Sequence, residues 1–139
     1  MVGMGDNAGL GAIDVEGMIM SLLSFSDEPV KPDLEVTLTK LSIDLAVPLM
    51  MIINELITNT LKHHQDPHDI SIVIRLSSNS GKLFLLYEDN GIWKEQDPEK
   101  KGSGMGSYIV NAMVRQFHGE HTRENTRHTI VLRLNEGDQ

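Results

Sequence analysis

The chain has no cysteine. This excludes disulfides, thiolate nucleophiles and cysteine-bound zinc. Positive charge is scarce: 12 Lys and Arg face 20 Asp and Glu, giving a formal charge of −8 and a pI near 5.1. Phosphate backbones select basic surfaces, so nucleic acid is excluded as the main partner. A single nucleotide is not, since one triphosphate needs only a local pocket of N–H groups, a Lys or two and a metal. No apolar run approaches the length of a membrane span and no secretory signal opens the chain. A cytoplasmic location without direct membrane contact is expected. Aromatic residues make up only 4%, and Trp93 is the single tryptophan.

What is present suits one ordinary domain: 139 residues, 40% of them hydrophobic. The small, polar start, residues 1–12, reads as a flexible leader, and 13–136 as the domain. Val15, Ile19, Leu22 and Leu23 fall at helical spacing behind Asp14, a suitable N-cap, so a helix is predicted over 14–25, weakened by Gly17. Pro29 and Pro32 break the chain, and residues 34–38 alternate as a strand. The strongest helix is predicted over 45–64, with Pro48 in its first turn. Its apolar face is Ile53, Leu56, Ile57, Thr60 and Leu61. Strands follow at 70–76 and 82–88, joined by a turn at 79–81. A polar, glycine-containing stretch covers 90–106. A helix near 107–118 and strands near 120–124 and 128–134 complete the chain. Strand follows strand twice, so much of the sheet must be antiparallel. The expected fold is α+β: a two-layer α/β sandwich whose mixed, mostly antiparallel sheet is covered by helices on one face.

Three features carry chemistry. Glu55, Asn59, Lys62 and His63 lie at i, i+4, i+7 and i+8, a single helix stripe offering an acid, an amide oxygen, a cation and an imidazole. Hard Mg²⁺ takes oxygen ligands and keeps several waters, so one amide oxygen beside phosphate oxygens suffices, and Lys62 can meet a phosphate as a point charge. Such a stripe alone is more often a solvated face. Asp89 stands at a strand end beside Gly91, where a carboxylate can accept from an exocyclic amine such as that of adenine, and Gly91 lets the backbone approach a ligand, with Ile92 next to it as a further binding candidate. Alone, this is a plain Asp-Asn-Gly turn. Gly102, Ser103, Gly104, Met105 and Gly106 then run into a helix N-terminus, a suitable place for phosphate. Alone, this is a flexible linker. His63, His64 and His68 at the helix end read as solvated, and His118, His121 and His128 as surface residues. Trp93 and the eight methionines read as core or lid packing.

Taken together and in this order, the three features resemble the GHKL ATPase superfamily of histidine kinases, gyrase-type ATPases, Hsp90-type chaperones and MutL-type repair proteins. The resemblance spans about residues 14–134. Asn54–His63 is similar to the family's N box, Asp89–Gly91 to its first glycine box and Gly104–Val110 to its second. The approach Ala46-Val47-Pro48-Leu49, continued by Asn54-Glu55-Leu56, is similar to a bacterial and archaeal histidine-kinase subfamily. The resemblance implies the histidine-kinase catalytic and ATP-binding fold, with ATP and Mg²⁺ as ligands. It implies that Asn59 holds Mg²⁺, Asp89 binds the adenine amine, and Lys62 and His63 face the phosphates. Gly102, Gly104 and Gly106 would hinge the lid, and Thr129 would support Asp89. Glu55, Asn59 and Lys62 are the catalytic candidates.

Two departures qualify the match. Trp93 stands where the family pattern has a second glycine, so its indole either stacks on the nucleotide or closes the pocket. No histidine precedes His63, so the upstream phosphoacceptor hairpin of a complete kinase is not expected here, and the chain is expected to be either a fragment of a kinase or a stand-alone ATPase module. The implied activity is transfer of the ATP γ-phosphoryl group to a histidine on a separate dimerisation domain of a two-component sensor kinase, with a response regulator downstream. The alternatives are an anti-sigma-factor-type serine kinase and a non-catalytic nucleotide-binding module.

Overall fold

The computed structural model describes residues 12–26, 29–38, 40–92 and 105–134. The expected leader lies outside them except for Ala12, which opens strand β1, Ala12–Asp14. Helix α1 follows, Val15–Ser24, capped as expected: the Gly17 N–H donates to Asp14 Oδ1 at 3.3 Å. Gly17, the weak point of the pattern, has a local reason. A Cβ there would sit 2.8 Å from Asp14 Oδ2 and push the capping carboxylate away.

Strand β2, Val30–Val36, starts four residues before the alternating segment. Its early part carries Lys31, Pro32 and Asp33 and gives no strand pattern, but Pro32 is tolerated because β2 is an edge strand. Strand β3, Lys40–Ser42, pairs antiparallel with β1 in a small separate ribbon that the sequence did not announce.

Helix α2, Ile43–His63, begins two residues earlier than expected. Pro48 therefore lies inside it rather than in the first turn, and it has no N–H to give to the Asp44 carbonyl. The buried face makes up for that missing bond: Leu45, Leu49, Ile52 and Ile53 are fully buried. Each such side chain contributes about 1.5–3 kcal/mol on leaving water. By length and hydropathy α2 could cross a membrane. The sequence hid this because Asn54 and Glu55 interrupt the apolar run, and here the apolar face is spent on the core.

Strands β4, Ile70–Asn79, and β5, Lys82–Asp89, form the hairpin expected from the sequence. Ser80 and Gly81 both have positive φ, 54° and 76°, the turn geometry that suits the twist of paired strands. Helix α3, Met105–Gln116, and the hairpin of β6, Glu120–Glu124, and β7, Arg127–Arg133, complete the chain. The main sheet has the order β2-β4-β5-β7-β6. Only β2 and β4 run parallel; the other pairs are antiparallel. Ile70, Ile72, Ile74 and Leu76 of β4, Leu83, Leu85 and Tyr87 of β5, and Ile130 and Leu132 of β7 all turn to the buried side. The opposite face carries exposed ion pairs, Arg75 with Asp33 and Glu35, and Arg127 with Glu88. Such pairs add little stability. The fold is thus the expected α+β arrangement, with one core between helices and sheet.

Candidate functional site

Helix α2 presents the predicted stripe at its C-terminal half. Glu55 and Asn59 are half-buried at the margin of the core face, while Lys62 and His63 are exposed in the last turn. Asp89 ends β5 and faces the same region. What joins the two elements is a residue the sequence had assigned to the apolar face. Thr60 is buried, and its hydroxyl donates to Asp89 Oδ2 at 2.7 Å. Because a carboxylate oxygen accepts that hydrogen, the Tyr87 hydroxyl, 2.7 Å from Thr60 Oγ1, must be the donor to Thr60. Burial raises the Tyr87 hydroxyl well above its ordinary range, so it stays a donor.

The second carboxylate oxygen, Oδ1, accepts from the Gly91 N–H at 2.8 Å. Asp89 is therefore fixed from two sides and both its oxygens act as acceptors. Its backbone carbonyl takes the Thr126 hydroxyl at 2.8 Å, which ties the β6–β7 turn to the same point. Thr129, expected to support Asp89, does not reach it. It pairs with Leu86 and Thr122 and lies on the exposed face, because strand side chains alternate and Asp89 follows the parity of Tyr87 and Leu85. Thr60 and Thr126 hold the positions that Thr129 was expected to fill. The signal for Thr60 was a lone hydroxyl in an apolar helix face, which needs a partner once buried.

Residues 44–137 match the family described as histidine kinase-, DNA gyrase B- and HSP90-like ATPase. The chain belongs to that family. Among solved structures, a blue-light activated histidine kinase of Erythrobacter litoralis superposes with a TM-score of 0.72 at 20% identity, over 89% of this chain and 46% of that one. The Acinetobacter baumannii histidine kinase AdeS superposes at 0.68 and 20% identity, over 90% and 67%. The catalytic domain of the histidine kinase ThkA superposes at 0.63 and 12% identity, over 88% and 94%. The chain spans about half the length of the Erythrobacter kinase and nearly all of the ThkA catalytic domain. No curated protein matches by sequence.

In this ATPase domain the remaining predicted residues fall in two groups. Trp93, Gly102, Ser103 and Gly104 lie outside the described residues. Met105 and Gly106 form the first turn of α3, which thus starts two residues earlier than expected. Gly91 sits beside Asp89 and is tightly surrounded: a Cβ would lie 3.0 Å from Asp89 Oδ1 and 3.3 Å from Gln65 Oε1. Ile92 is 67% exposed, an apolar side chain left uncovered next to this turn.

Two histidines expected at the surface are instead half-buried on the helix side of the sheet. The rings of His121 and His128 stack at 5.2 Å. Asn111 of α3 offers its Oδ1 to His121 Nδ1 at 3.2 Å, so Nδ1 donates and Nε2 accepts from His128 Nδ1 at 3.0 Å. His128 also meets the Tyr87 ring edge-on at 6.1 Å. The pair therefore joins β6, β7 and α3 directly behind the Asp89 relay. Burial pushes the His128 imidazole down to about 4, with repulsion from His121 and Arg123 adding to it. Burial lowers His121 as well.

The folded value of His128 lies below the ordinary 6.5. Stability is therefore fully present above that value and falls as pH drops towards the folded value, where the unfolded chain binds the extra proton. The expected loss reaches at most about 3 kcal/mol. Urea unfolding at pH 7.5 and pH 4.5 checks this. His128→Gln should flatten the decline, and an equally steep profile in that variant would assign it to other groups.

Proposed function

We propose that this ATPase domain transfers the γ-phosphoryl group of ATP to a histidine of a separate dimerisation domain. The reading places it in the cytoplasmic part of a two-component sensor kinase that feeds a response regulator. One observation carries it: Thr60 bonds Asp89, and Asn59 is its neighbour on α2. The carboxylate that would read the base is thereby bonded to the residue that follows the amide that would hold the metal.

The donor set fits an adenine nucleotide. Asp89 offers acceptors only, as an exocyclic amine requires, and Gly91 lets the base approach its backbone. Asn59 would hold Mg²⁺, which neutralises charge on the phosphate oxygens. Lys62 and His63 would meet the phosphates from the last turn of α2. Backbone N–H groups of Gly102, Ser103 and Gly104, with those of Met105 and Gly106 in the first turn of α3, would complete the cradle. Glu55, one turn before Asn59, orients the acceptor side chain. Catalysis is then mostly positioning and charge stabilisation.

The test is incubation with γ-labelled ATP and a histidine-bearing helical hairpin domain. Acid-labile label on that hairpin supports the reading. Acid-stable label on a serine protein would favour the anti-sigma-type kinase, and tight ATP binding with no transfer would favour a nucleotide-sensing module. Asn59→Ala is expected to weaken Mg-ATP binding at least about tenfold, the loss of one good polar contact, with much less effect on metal-free nucleotide or ADP. Calorimetric titration of all three ligands checks it, and a uniform loss would leave Asn59 only a helix-supporting role.

A further inference from the structure

The chain leaves α2 through His64, and the loop that follows does not simply return to the sheet. His64 Nδ1 accepts the Asp66 N–H at 2.9 Å, so the ring hydrogen sits on Nε2, which donates to Asn90 Oδ1 at 2.7 Å. Asn90 is held at its side-chain oxygen, its side-chain nitrogen and its backbone N–H. Its Oδ1 also accepts from Ser71 N at 2.9 Å, its Nδ2 donates to the Asp69 carbonyl at 2.8 Å, and its N–H donates to the Ser71 carbonyl at 3.1 Å. Gln65 Oε1 accepts the Ile92 N–H at 3.1 Å. Residues 90 and 92 are thus gripped on both sides of Gly91. A Cβ on Gly91 would meet His64 Cδ2 and Gln65 Oε1 at 3.3 Å each.

These bonds matter because of what the turn carries. Thr60 ties Asp89 to α2 at one point, and the Gly91 N–H that holds its other oxygen belongs to the turn itself, so Thr60 alone does not fix the turn against α2. The His64–Asn90 bond is a second point, one helical turn further along the same chain segment. Two points fix the direction in which Asp89 faces relative to Asn59 and Lys62. We propose that His64 is a positioning residue for nucleotide recognition: its Nε2–H to Asn90, with Gln65 on Ile92, aims Asp89 at the amine of the base. This rests on the adenine reading of Asp89.

The experiment compares ATP with inosine triphosphate, which lacks that amine, by calorimetric titration. Wild type, His64→Leu, His64→Asn and His64→Gln are used, with thermal unfolding of each protein without nucleotide. Wild type should prefer ATP. In His64→Leu, ATP and ADP should both weaken roughly tenfold, the loss of one hydrogen-bonded contact, and the preference over inosine triphosphate should shrink towards one. His64→Asn keeps an acceptor for the Asp66 N–H but is too short to reach Asn90, and should behave like His64→Leu. His64→Gln supplies an N–H with longer reach and should restore the preference.

Loss of affinity for both triphosphates with the ratio unchanged would mean a merely structural loop and overturn the proposal. So would unchanged binding in His64→Leu and His64→Asn, or a failure of His64→Gln to rescue. Wild type that binds ATP without preferring it to inosine triphosphate, or binds neither, would instead overturn the adenine reading of Asp89, and the inference with it.

Discussion

Asp89→Asn should keep the fold and lose most of the ATP affinity, by roughly 10- to 100-fold, the range for a buried hydrogen bond whose partner becomes a donor. The fold survives because the relay can reverse. With Oδ1 still accepting from Gly91 N, the new amide nitrogen occupies the Oδ2 position. Thr60 then accepts from it and donates to the Tyr87 oxygen instead, which takes from the buried Tyr87 O–H its acceptor at a cost of about 1–3 kcal/mol, less than the domain's stability. The same reversal damages recognition. A group that offered only acceptors now presents N–H towards the place of the base, and an adenine amine meets a donor where it needs an acceptor. The change is nearly isosteric, so little packing is lost. Calorimetric titration with ATP, beside thermal unfolding of the ligand-free protein, separates the two effects. Wild-type affinity in Asp89→Asn would remove this carboxylate from the base site. An equal collapse of the unfolding temperature would mean that Asp89 acts through stability.

The residues behind this prediction were unequally legible in the sequence. Asp89 could be found because it combines a strand end with a glycine two residues on, and the α2 stripe because a period of 3.6 is strong over 21 residues. Thr60 was hidden because one hydroxyl does not disturb a hydrophobic face, and its partners, Tyr87 and Asp89, are 27 and 29 residues away. The error at Thr129 was one of parity. His128, Ile130 and Leu132 alternate with it, so the run itself places Thr129 on the far face from the two buried apolar residues. The same alternation puts His128 on the buried side, and it needed only to be applied to a polar residue. The β1–β3 ribbon and the start of β2 were not legible. Three-residue strands carry no period, and an edge strand rich in charge and proline is defined by its neighbour rather than by its own residues. The grip of His64 and Gln65 on the 90–92 turn belongs to the same class, since loop contacts across the sheet leave no periodic trace.

The largest effect on stability is expected at Gly119, which no motif singles out. It follows His118, whose φ of 53° ends α3 in the left-handed region, and it leads into β6. A Cβ at 119 would lie 1.9 Å from the Val131 carbonyl oxygen, 3.0 Å from its carbon and 3.2 Å from Leu132 Cα. All three are backbone atoms of β7, so no side-chain rotation relieves the overlap. The turn cannot back away either, because Gly119 N donates to the Val114 carbonyl at 2.9 Å and Arg133 N donates to the Phe117 carbonyl at 3.0 Å. Relief requires breaking those bonds or the Glu120–Val131 register of the last hairpin. Gly119→Ala should therefore cost more than about 3 kcal/mol, in the range of severe steric substitutions. For a domain of this size that lowers the melting temperature by roughly 10 °C. Because α3 and the β6–β7 hairpin are tied through the His121–His128 pair, the loss should appear as one cooperative transition at a lower temperature, not as separate fraying of the C-terminal hairpin. Circular dichroism melting of the two proteins measures it. A shift within about 2 °C would show that β7 can yield at Val131 without losing its pairing.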